Sequence, residues 1–154
     1  MSIEVRRVVT GQDQNGKAIV LIDDKPPRSN SPREGLSGAL IWTSDSLPVR
    51  VDGSEDKGDV DIGTTLKNGS VFRIAKYDPG VAPRIHRTQS IEYAVIISGE
   101  IDMELEDGVE VHLDAGDVLV QRATVHNWIN RGAEPCIIAF ILISAEAEGL
   151  PAFG

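Results

Sequence analysis

Residues 80–99 read GVAPRIHRTQSIEYAVIISG, and their second half alternates. A period of two from Ile91 to Ile96 sets Glu92, Ala94 and Ile96 on one face of an extended strand, and Ile91, Tyr93 and Val95 on the other. Glu92 therefore stands on an apolar face. Burying a carboxylate there is costly unless it is paired, protonated or bound to a metal. Tyr93, opposite, reads as a core or interface packing residue. A second stretch, residues 116–130, reads GDVLVQRATVHNWIN and ends in the same alternation, with His126, Trp128 and Asn130 on one face. The chain has 3 histidines. His86 and His126 fall within these two stretches, while His112 shares a face with Glu110 and reads as exposed.

Outward from these stretches the pattern repeats. Val71–Tyr77, Glu92–Ile97, Ile101–Leu105, Val109–Leu113, Asp117–Gln121, His126–Asn130 and Ile137–Ile143 are short apolar-rich runs separated by glycine- and aspartate-bearing turns. Such spacing predicts an antiparallel sandwich or barrel with little helix. Toward the N-terminus, Glu4–Thr10 and Lys17–Ile22 read as two strands around an Asn15-Gly16 turn, and Ala39–Thr43 as another. Asp23–Gly35, with three prolines, reads as a loop. Asp52–Asp61 reads as a solvated loop, since its acidic residues lack the ligand spacing of an EF-hand. In the tail, residues 145–154, Gly149 and Pro151 exclude a long closing helix.

Composition bounds the rest. The chain has 154 residues and a net charge of −9, with 41% hydrophobic and 25% charged residues, the balance of a globular chain. One domain over residues 1–154 is expected: N-terminal strands and loops over 1–69, the barrel over 70–144 and the tail over 145–154. The acidic balance disfavours nucleic-acid binding, because such a surface repels phosphates. The single cysteine, Cys136, permits no internal disulfide and suits a reducing compartment. The first residues lack the apolar core of a signal peptide, and no apolar run reaches the length of a membrane span. A cytoplasmic protein without membrane or nucleic-acid partners is expected.

The two quoted stretches resemble the paired motifs of the cupins. In the first, Gly80, His86, Glu92 and Gly99 keep the family's spacing; in the second, Gly116-Asp117 leads to His126 and Asn130. The resemblance covers roughly residues 71–143 and implies an all-β double-stranded β-helix, a jelly-roll barrel, here with an N-terminal strand extension. Two departures stand out. Thr88 occupies the place of the family's second motif histidine, and Gln121 and Ala123 occupy the usual proline and glycine positions, which predicts a differently built turn before His126.

By the resemblance, His86, Glu92 and His126 match three of the family's four metal-ligand positions. Two imidazoles and a carboxylate suffice for one divalent ion, and this donor set does not distinguish iron, zinc, nickel and manganese. The alternative is a metal-free site in which desolvated Glu92 pairs with His86 or His126 as acid and base. Thr88 would then hydrogen-bond substrate. Trp128 is expected to wall the pocket, Gln121 to turn its amide toward the barrel mouth, and Trp42 to close the pocket from the N-terminal side. Arg84, beside His86, is placed to meet a substrate carboxylate. Asn130 reads as a turn former.

Three functions remain open. The first is an enzyme doing proton-transfer chemistry (lyase, decarboxylase, dehydratase or isomerase) on a small oxygenated, anionic or aromatic molecule. The second is an Fe(II)-dependent dioxygenase using His86, Glu92 and His126, and the third a non-catalytic small-ligand binder. The fold resemblance further implies a homodimer paired through sheet edges, with the N-terminal strands available for exchange.

Overall fold

The computed structural model describes residues 3–149; Pro151, invoked above for the tail, lies outside the described residues. Eleven strands and one three-residue 3-10 turn, Glu106–Gly108, make up the regular structure, with no α-helix among the described residues. In chain order the strands are β1 (Arg7–Gln12), β2 (Ala18–Asp24), β3 (Ser29–Arg33), β4 (Leu36–Ser44), β5 (Ser70–Tyr77) and β6 (Ser90–Ser98). They continue with β7 (Glu100–Glu104), β8 (Glu110–Asp114), β9 (Val118–Arg122), β10 (Asn127–Ile129) and β11 (Cys136–Ser144).

A six-stranded sheet runs β3-β4-β5-β11-β6-β9 and faces a three-stranded sheet, β10-β7-β8. Every pairing is antiparallel. The apolar run of β11 lies at the centre, hydrogen-bonded to β5 on one side and β6 on the other. The core fills the space between the sheets: Ala94, Ile96 and Ile138 from one meet Ile101, Met103 and Trp128 from the other. A second cluster lies on the outer side of the large sheet, where Ile3 and Val5 pack against Ala39, Ile41 and Ile74.

Alternation decides which residues reach the interior. Along β6, Ser90, Glu92, Ala94 and Ile96 are buried while Tyr93, Val95 and Ile97 are exposed. The sharp reversal from β6 into β7 turns on Gly99, whose φ is 78° and whose absent Cβ would stand 2.4 Å from the Pro135 carbonyl oxygen. Only glycine fits there.

The N-terminal region departs from the expected layout. The stretch read as a loop over Asp23–Gly35 contains the end of β2 and all of β3. Tertiary pairing overrides its proline content: β3 aligns Ser29 with Ala39, Asn30 with Gly38 and Arg33 with Leu36. It sits at the edge of the sheet, where Pro32 costs no ladder bond. The β3–β4 hairpin is fastened to the segment leading into His86. Asp78 N–H donates to Gly35 O at 2.8 Å, and Ala82 N–H to Glu34 O at 3.1 Å. At Gly35, with φ at 79°, a Cβ would meet Val81 Cα at 2.8 Å, so glycine lets the two backbones touch. The β1–β2 hairpin stands as a separate two-stranded sheet. No helix among the described residues is long and apolar enough to cross a membrane.

Candidate active site

The two quoted motifs meet at their histidines. Residues 86 and 126 form an isolated antiparallel bridge, His86 N–H donating to His126 O at 3.0 Å and His126 N–H to His86 O at 2.9 Å. The start of one motif also binds the end of the other, through Gly80 N–H and Asn130 O at 3.0 Å. Asn130 itself holds a turn: its side-chain oxygen accepts from Gly132 N–H, and its amide donates to the Tyr77 and Glu134 carbonyls. The imidazole rings are 4.4 Å apart between centroids.

Each ring is oriented by its own loop. His86 Nδ1 lies 3.0 Å from the Arg84 carbonyl oxygen, and His126 Nδ1 lies 2.9 Å from that of Thr124. A carbonyl can only accept, so both Nδ1 atoms carry the proton and both Nε2 atoms present a lone pair. Burial pushes His86 down to about 4 and lowers His126 as well, so both rings are neutral at pH 7.

Glu92 is 4% exposed, and desolvation raises its carboxyl above the ordinary range. Two hydroxyls restrain that rise: Thr88 donates to Oε1 at 2.6 Å, and Ser90 does so at 3.4 Å. This corrects the expectation for Thr88. It does not line the cavity, because its hydroxyl is engaged by Glu92.

The cavity, about 280 Å³, is lined by His86, Glu92, His126, Trp128 and Arg84, so the structure brings these five expected residues together. Trp128 stands edge-on to His126, with Phe140 and Tyr77 beside it at 5.8 and 6.0 Å between ring centroids. Gln121, expected at the mouth, is absent from the lining. It is buried on the inner face next to Glu92 in register, donates to Met103 Sδ at 3.4 Å and accepts from the Thr124 hydroxyl. Trp42 is also elsewhere. A register shift between Leu40 and Trp42 turns its side chain to the face of Phe72, which is partly exposed, rather than to the face of Leu40. In the turn before His126, Ala123 has φ 55°, so it holds a left-handed conformation ordinarily left to glycine.

Sequence reading missed Arg33, Arg73, Tyr77 and Phe140, all of which line the cavity. For Arg73 a signal was present. It shares the inner register of β5 with Val71, Ala75 and Tyr77, as Glu92 shares that of β6.

The donor set was tested against a shared metal ion. Three atoms bound to one ion at about 2.0–2.2 Å lie within about 4.4 Å of one another. The two Nε2 lone pairs suit such an ion, but Glu92 is drawn toward Thr88 and Ser90, and the three donors do not gather within even 4.8 Å. As placed, they do not fit one. Among the described residues, three such donor atoms gather within 4.8 Å only at Glu100, His112 and Asp114, all exposed. His112 there is bonded to Asp102 and Asp114, and hydrogen bonding to Asp102 raises its pKa.

A double-stranded β-helix whose paired motifs deliver two imidazoles and an acid into its interior defines a cupin. The chain belongs to the cupin superfamily: the Cupin domain family matches residues 71–143. Over 147 residues it is 34% identical to the cupin-domain-containing oxidoreductase fogC of Aspergillus ruber, covering 90% of this chain and 72% of that protein. It is 27% identical over 151 residues to the cupin-domain-containing oxidoreductase srdD of Neurospora crassa, covering 93% and 76%. A shorter match, 49% identical over 69 residues, joins it to phomopsin biosynthesis cluster protein C' of Diaporthe leptostromiformis, covering 45% of this chain and 36% of that protein. Two solved structures share the fold. A putative ethanolamine utilization protein Q from Salmonella typhimurium has a TM-score of 0.53 at 11% identity, over 94% of this chain and 100% of that one. An RmlC-like cupin from Shewanella frigidimarina has a TM-score of 0.51 at 15% identity, over 80% and 88%.

Proposed function

We propose that this cupin is an enzyme that moves a proton within a small, oxygenated, ring-sized molecule, as an isomerase or dehydratase does. One observation carries the reading: a buried carboxyl with a raised pKa shares a cavity with two neutral imidazoles whose Nε2 atoms are unprotonated. A carboxyl whose burial favours the protonated form thus stands beside neutral imidazole bases, the pairing that acid–base catalysis needs. An imidazole Nε2 takes a proton from a carbon made acidic by a neighbouring carbonyl, and protonated Glu92 delivers one to the departing or developing oxygen. Thr88 and Ser90 fix the direction in which Glu92 presents it. Trp128 and Phe140 give a flat wall against which a ring can lie.

A second reading is favoured by the likeness to the A. ruber and N. crassa cupin-domain-containing oxidoreductases. In it His86, His126 and Glu92 would hold a divalent metal that would supply redox chemistry, which requires Glu92 to be released from Thr88 and Ser90.

The test uses protein treated with EDTA and a panel of cyclic hydroxy-carbonyl compounds, followed by proton NMR in D2O. Deuterium incorporation or loss of water that survives EDTA is expected. It should fall by about a hundredfold or more in Glu92→Gln, the usual range for removing a positioned acid. Oxygen consumption that appears only when Fe(II) is restored, with no exchange in its absence, selects the second reading instead.

A further inference from the structure

Two groups stand out among the arginines. Arg6, Arg7, Arg28, Arg50 and Arg131 are each ion-paired to an aspartate or glutamate within 3.0 Å. Arg33, Arg73 and Arg84 are not: among the described residues no carboxylate lies within ion-pair distance of any of them, and all three line the one cavity that holds the histidines. In a protein of net charge −9 with 24 acidic residues, three unneutralised cations at one opening are not a statistical residue of composition. The sole acidic residue lining the cavity is Glu92.

Their placement is built. Arg33 sits at the end of β3, its Nε donating to the Ala82 carbonyl at 2.9 Å, which ties its guanidinium to the segment that carries Arg84. The two guanidiniums are close enough to repel: Arg33 is disfavoured in its charged form first by burial and then by Arg84. Arg84 has an exposed side chain whose backbone is fixed on both sides, N–H to Asn127 Oδ1 at 2.9 Å and carbonyl to the His86 ring at 3.0 Å. Arg73 donates to the Gly63 carbonyl from the inner face of β5.

A fourth group points the same way. Tyr77 is 6% exposed and lines the cavity; its hydroxyl is not among the buried atoms sealed off without a partner, so it opens to the cavity, where no described residue is its hydrogen-bond partner. Buried phenols usually find one. It shares the cavity lining with Arg33, Arg84 and Glu92, and burial first of all holds its phenol well above the ordinary range, so it stays a donor.

We infer that the mouth is a carboxylate clamp formed by Arg33, Arg84 and the Tyr77 hydroxyl, and that the molecule taken is a ring-bearing carboxylic acid whose ring lies against Trp128 and Phe140. Arg73 adds positive potential from β5. Planar guanidinium forks match a carboxylate, and the phenol supplies a third donor to the same oxygens. The clamp rests on the reading that this cavity is the reacting site: it would hold the anionic end still while the other end meets Glu92 and the imidazoles. The volume of about 280 Å³ suits a small ring compound rather than an extended chain.

The test is isothermal titration of the full chain at low ionic strength in EDTA, so that no metal serves as the carboxylate's partner. The probes are benzoate, its neutral analogue benzamide, and inorganic phosphate. Benzoate is expected to bind at least tenfold more tightly than either of the others. Arg84→Gln should weaken benzoate at least tenfold, and Tyr77→Phe about threefold, with benzamide unchanged in both. Arg84 contributes only backbone atoms to the hydrogen bonds that hold the fold, so this variant keeps its structure, and its circular dichroism melt checks that. Equal binding of benzoate and benzamide overturns the clamp. So does phosphate binding as tightly as benzoate, no benzoate binding at 10 mM, or an Arg84→Gln variant of full affinity. Glu92→Gln separates this inference from the reaction proposed above. If it binds benzoate normally while wild-type protein shows no proton exchange, the clamp stands and the reaction falls.

Discussion

His86 is held neutral by burial, and this has a consequence for stability as well as for reactivity. In the fold its pKa is about 4, whereas an unfolded histidine titrates near 6.5. Between those values the unfolded chain binds the proton and the folded chain does not, so stability is lost as pH falls through this window. The gap of 6.5 − 4 = 2.5 units corresponds to roughly 3 kcal/mol at most from this residue. Glu92 acts oppositely: its raised pKa means that the folded chain keeps the proton longer, and stability declines as pH rises through that range. Urea unfolding at pH 7 and pH 4.5 is expected to show a marked loss at the lower pH, with His86→Gln reducing that loss; equal sensitivity in both proteins would mean that the ring is solvated. Legibility at this scale followed face and charge. Glu92, His126 and Trp128 could be placed because alternation set them on one side of an extended run, and His86 because its spacing from Gly80 and Glu92 matched the motif. Arg73 obeyed the same rule but drew no reading of its own within the run Val71–Tyr77, because an arginine there has the ordinary look of a surface residue. Tyr77 carried no signal, because an inward tyrosine looks like core until its hydroxyl is seen to lack a partner.

Single elements show where pattern ends and packing begins. The seven runs between Val71 and Ile143 became β5 to β11, because each was short, apolar on one side and bounded by a turn. β3 was illegible: Ser29–Arg33 has neither β-branched residues nor alternation and is a strand only because β4 offers it an edge. The bulge that turns Trp42 outward was equally hidden, since an alternation count through Leu40, Ile41 and Trp42 cannot register the shift. The β1–β2 hairpin owes its seat to one side chain. Arg7 is 1% exposed and binds three groups: Asp24 at 3.0 Å, Asp56 at 2.8 Å and the Ile41 carbonyl at 3.3 Å. It joins the hairpin, the acidic loop and β4, and its hydrogen bonds hold Asp56 well below the usual carboxylate range. Removing one partner of such a buried network strands the others, so Arg7→Ala is expected to destabilise by roughly 2–4 kcal/mol. Arg7→Lys should recover only a minor part, because an ammonium cannot span two carboxylates with a planar fork. Chemical denaturation of the two variants checks both statements. The cavity residues lie on other strands, so benzoate binding at saturating stability is expected to be kept.

At the scale of the whole molecule the surface is uneven. The N-terminal segment covers one part of the large sheet's outer face through Ile3 and Val5, but none of the described residues covers the part formed by β6, β9 and β11. There Tyr93, Val95, Ile97, Val118, Val120 and Ile141 are between 39% and 72% exposed, and register brings them together: Tyr93 faces Val120, Val95 faces Val118, and Ile141 faces Tyr93. β9 is also the edge of the sheet, with an unpaired ladder. A contiguous apolar face beside an open edge is an association surface in a soluble fold. If the chain pairs as the resemblance implies, this face is where pairing is expected. A two-fold axis near Val120 would set this apolar patch against its own copy, with Arg122, which shares the exposed register of β9, at its border. The histidine cavity opens on the inner side of the sheet, so pairing here leaves it accessible. Light scattering after size exclusion is expected to give twice the chain mass of 16.6 kDa. Val95→Glu and Val118→Glu together would bury four like charges at the two-fold interface and should yield a monomer that still melts cooperatively. A wild-type protein that runs as a monomer at high micromolar concentration, or a double variant that remains dimeric, removes this face from consideration and leaves the N-terminal strands as the remaining route to pairing.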